Sequence, residues 1–189
     1  MVISEQTRTY TTDEFWTLYG GRKFVELVKG KVREYMPAGG EHGVSAFQFG
    51  RHIGNFVDEH NLGWVTAAET GFILYRNPDP EGKDTVRAPD VGFISFARLP
   101  VMPDKFIPMG PDFAVEVVSP SDSAEDIQEK LDDYFLPDTG TRLVWVAYPK
   151  LKAVVAHTRT GWKRYGIDDA IDGGDVLPGF ELPLAQVFR

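Results

Sequence analysis

Three side chains in separate segments combine types that do chemistry together. Glu116 interrupts the apolar run FAVEVV at 113–118, Asp90 stands near the start of another, APDVGFISF, and Lys130 follows Glu116 by fourteen residues on an amphipathic stretch. A carboxylate inside an apolar strand is costly unless something positive meets it. Two such acids on neighbouring strands could cage Mg2+ or Mn2+, and the cation would relieve their repulsion. A lysine beside the ion's waters could orient or deprotonate one of them and stabilise negative charge. Together these are the parts of a metal-dependent phosphodiester hydrolysis site.

Each residue also has a plainer reading. Asp90 could be a turn residue after Pro89, Glu116 an edge-strand charge facing water, and Lys130 a solvated helix lysine. Asp112 is the rival to Asp90. It shares a strand face with Glu116 by period two, but lies roughly 13 Å along the strand from it, too far to share one ion comfortably.

The elements that would position these groups follow from pattern. Residues 111–134 read as buried strand, sharp turn and amphipathic helix. Asp122 is the expected cap, with Glu125 completing a capping box. Ala124, Ile127, Leu131, Tyr134 and Phe135 form the helix's core face, Lys130 lies at its border, and Glu129, Asp132 and Asp133 fall on the solvated side. Upstream, Thr11 or Thr12 starts a helix with Phe15, Trp16 and Leu18 as its apolar face, ended by Gly20-Gly21. Residues 23–35 read as a hairpin turning at Lys29-Gly30, with Glu26 in its first strand, either facing solvent or pointing toward the site. A helix over 41–60 carries His42, Ala46, Phe49, Ile53, Phe56 and His60 on one stripe, so His42 sits at the start of an inward face. Val44, Phe47 and Arg51 occupy the opposite face and hint at a partner surface.

Strands are expected at 64–65 and 72–75, with a turn at 77–82, and then one strand over 86–96. The proline-rich stretch 99–111 is a loop. An apolar strand at 142–147 precedes antiparallel additions at 153–157 and 162–165, and the tail reads as loop and short strand. The order gives an α/β (α+β) fold: a mixed sheet flanked by helices, with extra antiparallel strands, in one domain over residues 1–189.

The net charge of −8 opposes a broad non-specific nucleic-acid surface, which needs clustered Lys and Arg. Acids gathered for metal ions contribute to that total. Cysteine is absent, which excludes disulfides and thiolate metal sites. No apolar run is long enough to span a bilayer, and the first residues lack a signal peptide's apolar segment, so a cytoplasmic protein is expected.

The succession VELVKGKV, EHG, APDVGF, VEVVSPSD, EKLDDYF and RLVWVAYP resembles the Uma-type restriction endonucleases of the PD-(D/E)XK nuclease superfamily, from about Thr11 to Tyr165. The resemblance implies a restriction-endonuclease-like fold, a homodimer, and a Mg-dependent endonuclease acting on DNA. By motif it makes Asp90 and Glu116 metal ligands and Lys130 the catalytic lysine, with Glu26 and His42 near the site. The superfamily pattern asks for lysine two residues after Glu116, where this chain has Val118. The Uma-type pattern carries that lysine on the following helix, and Lys130 fits. Two alternatives stay open: a catalytically silent dimeric binding or scaffold protein that keeps the fold, and a hydrolase of another phosphoester.

Overall fold

The computed structural model describes residues 2–5, 8–79 and 83–188, so positions 80–82 of the turn expected at 77–82 lie outside the described residues. The chain runs through β1 (Val2–Glu5), α1 (Thr12–Tyr19), β2 (Val25–Val28), β3 (Lys31–Tyr35), α2 (Gly40–Glu59), β4 (Gly63–Ala67), β5 (Phe72–Tyr75), β6 (Thr85–Arg87) and β7 (Val91–Ser95). It continues through β8 (Phe113–Val117), α3 (Ala124–Tyr134), β9 (Leu143–Tyr148), β10 (Ala153–Thr158), β11 (Gly161–Tyr165), β12 (Ala170–Gly173) and β13 (Leu177–Pro183).

A six-stranded sheet in the order β11-β10-β9-β8-β7-β4 is mixed. Its central pair, β8 and β9, is parallel and connected through α3, and the other neighbours are antiparallel. A five-stranded antiparallel sheet, β1-β3-β2-β6-β5, packs against it, and β12 pairs with β13. The architecture is therefore α+β, a mixed sheet flanked by helices with added antiparallel strands. Among the described residues, no helix is long and apolar enough to cross a membrane.

Alternation along β8 divides the core. Phe113, Val115 and Val117 face α2, packing with Phe49, Ile53, Trp145 and the tail residues Phe180, Leu182 and Leu184. Ala114 faces the other way, with Ile127, Leu131 and Tyr134 of α3 and Phe72 and Leu74 of β5. Glu116 shares that second face by period two. The small sheet closes on the large one at Gly92, where an added Cβ would lie 2.7 Å from the Phe72 ring.

Local signals account for most element ends. Thr11 caps α1 and Glu14 completes its capping box. Lys29 and Gly30 have φ of 50° and 78°, the paired left-handed residues of a two-residue hairpin turn. Four expectations need correction. The strand expected over 86–96 is two strands in different sheets, because the chain breaks at Ala88–Asp90 and crosses between them; Pro89 has no N–H for a ladder, and Ala88 N donates to Glu26. Helix α3 is capped by Ser123 with Asp126, while Asp122 accepts from Ser119 N instead. Leu18 is exposed, since α1 buries Thr12, Phe15 and Tyr19. The tail forms the β12–β13 hairpin, and its apolar residues enter the main core.

Candidate functional site

β7 and β8 pair antiparallel with Val91 opposite Val115, so one step further sets Asp90 across from Glu116. Directly opposed residues of an antiparallel pair share a face with Cβ atoms about 5 Å apart. The two acids sit where the small sheet, α3 and the start of α2 converge. Asp90 Oδ2 accepts from Val117 N at 2.8 Å, which ties the crossing segment to β8.

Lys130 reaches Glu116 from α3, with Nζ 2.5 Å from Oε2, and Tyr134, one turn on, donates to Oε1 at 2.6 Å. Burial opposes the Lys130 charge, but Glu116, Glu26 and Asp90 outweigh it and raise its pKa, so the amine stays an ammonium. Burial pushes Glu116 upward in turn. Val118 is partly buried on the same face as Glu116. A lysine at 118 and one at 130 would thus approach the acid from the same side of the sheet.

His42, in the first turn of α2, joins two segments. Its Nε2 is 2.8 Å from Asp90 Oδ1 and its Nδ1 3.0 Å from Ser119 Oγ. Burial lowers its pKa, but the hydrogen bond to Asp90 and the Asp90 charge together outweigh it, so the net direction is up. Ser119 belongs to the turn that follows β8, and nothing in the sequence marks it as a partner of His42.

Glu26 is buried and does not face solvent. Its carboxylate accepts from Ala88 N at 2.9 Å, Tyr35 Oη at 2.8 Å and Arg87 Nη1 at 2.9 Å. Burial would raise its pKa, but Arg87 and Lys130 hold it below the ordinary range. Glu26 therefore lends the site a negative field while its own oxygens are held by other groups.

Contrary to expectation, Asp133 is buried and Glu129 is partly buried and held in ion pairs. Asp133 accepts from Nε and Nη2 of Arg87 at 2.8 and 2.6 Å. Glu129 pairs with Lys29 at 3.0 Å, with Arg33, and with Arg87 at 3.4 Å. Burial raises the Glu129 pKa, and hydrogen bonds from Arg33 and Lys29 overcome this and lower it to about 2. Arg87 had a signal: it is a charge at the end of a strand flanked by apolar residues, the same oddity that singled out Glu116. Asp112 is buried and held away from the site by Ser95 N, Arg98 and Arg142.

Glu26, His42, Asp90, Glu116 and Lys130 all line one cleft of about 900 Å³. Its acids (Glu26, Asp58, Glu69, Asp90, Glu116 and Asp122) outnumber its bases, Arg51 and Lys130. Phe24, Met36 and Phe47 form an exposed apolar part of its wall. Among the described residues, no group of three or more His, Asp or Glu could hold a metal ion. The residues that could hold a cation are therefore the opposed pair Asp90 and Glu116. Two carboxylate oxygens suit Mg2+, which keeps several waters and takes one or two carboxylates plus substrate phosphates. The Lys130 ammonium already occupies the charge niche of a cation there.

A family model, Uma2, described as "Putative restriction endonuclease", matches residues 12–185. The chain belongs to this family. The match takes in every group of the site. Among solved structures the chain is similar to the "crystal structure of a putative nuclease belonging to DUF820" from Anabaena variabilis ATCC 29413. The TM-score is 0.76 at 20% identity, over 95% of this chain and 97% of that one, which establishes a shared fold. No curated protein matches the chain.

Proposed function

We propose that this family member is a single-domain, cytoplasmic endonuclease that hydrolyses DNA phosphodiester bonds with Mg2+ or Mn2+. The observation that carries the reading is the opposition of Asp90 and Glu116 across β7 and β8, with Lys130 on Glu116, inside an open cleft. Asp90 and Glu116 would hold the cation, which when bound supplies charge neutralisation and an activated water. Asp90 is kept aimed by His42 and by Val117 N, and Glu116 by Tyr134. Lys130 is an ammonium in the field of three acids, so its role is to orient water and stabilise developing negative charge, with base catalysis disfavoured. Glu26 keeps that ammonium charged and does not touch the scissile group. A second copy is the expected partner, and exposed Val44 and Phe47 on α2 offer apolar surface to it.

The test is cleavage of plasmid DNA with Mg2+. The wild type cuts, and Asp90→Ala and Lys130→Ala do not. A wild type inert with both Mg2+ and Mn2+ contradicts the reading.

One observation favours a second reading, a catalytically silent member of the family that binds a partner. All four carboxylate oxygens of Asp90 and Glu116 already accept hydrogen bonds from the protein, from His42, Val117 N, Lys130 and Tyr134. Calorimetry with Mn2+ separates the two readings. Heat of binding that is lost in Asp90→Ala supports the nuclease, and its absence in the wild type supports the silent form.

A further inference from the structure

We propose that Arg87 is the positioning residue that sets Lys130 against Glu116. Arg87 is 1% exposed, one of the largest fully buried side chains, and does not line the cleft. It ends β6, three residues before Asp90. Its guanidinium donates in three directions: Nη1 to Glu26 Oε2, Nε and Nη2 to Asp133, and Nη2 also toward Glu129. Glu129 and Asp133 are one turn apart on α3, as are Lys130 and Tyr134. The first pair points to the small sheet through Arg87, Arg33 and Lys29. The second pair points to Glu116 on the large sheet. Two parallel rows thus fix the rotation of α3 about its own axis, and Arg87 joins the first row to Glu26, the acid whose field reaches Lys130. Lysine has one nitrogen where arginine has a planar fork, so it cannot span Asp133 and Glu26 with the same geometry.

The experiment compares Arg87→Lys, Asp133→Asn and wild type. One arm measures single-turnover DNA cleavage with Mg2+ per folded molecule. The other measures the acylation rate of Lys130 by mass spectrometry, with exposed Lys150 as internal control and Glu116→Gln as the reference for a released Lys130. Arg87→Lys lowers the single-turnover cleavage rate constant by about a hundredfold, the scale set by a displacement near 1 Å, while the half-saturating protein concentration stays near the wild-type value. Lys130 acylation rises toward the Glu116→Gln rate and Lys150 is unchanged. Asp133→Asn moves both readouts in the same direction, by less, and carries the test if Arg87→Lys fails to fold. The kinetic arm rests on the nuclease reading and the labelling arm does not. A wild type that never cuts, with Lys130 acylation still raised in the variants, removes the nuclease and supports the positioning role. Lower melting temperatures with unchanged rate per folded molecule and unchanged acylation overturn it and reduce Arg87 to buried charge balance.

Discussion

Asp112, just before β8, and Glu116, near its end, are both buried acids, and the protein treats them in opposite ways. At the entry, Asp112 is closed in: Ser95 N donates to it at 2.9 Å, Arg98 and Arg142 flank it at 3.4 Å, and its backbone C=O accepts from Arg142 N and Leu143 N. It does not line the cleft of the site. At the exit, Glu116 meets one ammonium and one hydroxyl, and its side chain borders open space. Burial and charge are shared by both, so neither marks function. The difference is exchangeability. Two guanidiniums and a strand amide hold Asp112 as part of the scaffold. Glu116 has a single cationic partner on a separate element, and an incoming cation can take over that partner's role.

The largest test of the contrast is kinetic. Glu116→Gln abolishes plasmid cleavage, at least a hundredfold by the usual worth of a charge aimed at the transition state, while Asp112→Asn leaves the rate per folded molecule near the wild type. Equal losses would erase the contrast. Next comes stability, measured by urea denaturation. Asp112→Ala leaves the Ser95 amide and the largely buried Arg98 without their acceptor and costs about 3 kcal/mol. Glu116→Gln costs less than about 1 kcal/mol, because the amide oxygen still accepts from Tyr134, Lys130 keeps Glu26 and Asp90 nearby, and a buried charge is removed. The reverse ranking would mean that Glu116 is scaffold too.

The smallest effect concerns Glu129, which anchors α3 beside the site. Its folded pKa of about 2 lies below its ordinary 4.5. The unfolded chain therefore takes up the proton first as pH falls. The Glu129 contribution is fully present above pH 4.5 and is lost progressively down to about pH 2. The stability gap between wild type and Glu129→Gln narrows over that window. A gap independent of pH would remove the Arg33 and Lys29 clamp from the account.

The strands of the large sheet were legible because apolar runs at 91–95, 113–117 and 143–148 carry their own period and punctuation. The opposed acids were legible for the same reason, as charges where burial forbids unpaired ones. The split between β6 and β7 was hidden because Val86 and Val91 are equally apolar, and only Pro89 marks the crossing. Glu129 and Asp133 were misread because helical periodicity sorts every acid to the water side. Their partners, Arg87, Arg33 and Lys29, come from the small sheet, more than forty residues away in sequence. Ser119 was missed because its link to His42 exists only once α2 lies over the end of β8. The cap of α3 slipped by one residue because Asp122-Glu125 and Ser123-Asp126 are both acceptable boxes, and Asp122 is taken by Ser119 N.

The most direct test of the central claim is a crystal soaked with Mn2+ and examined by anomalous scattering. The account predicts a single peak bonded to Asp90 and Glu116, with the Lys130 ammonium moved off Glu116. A fully ordered site with no peak there, and Lys130 still on Glu116, would contradict it.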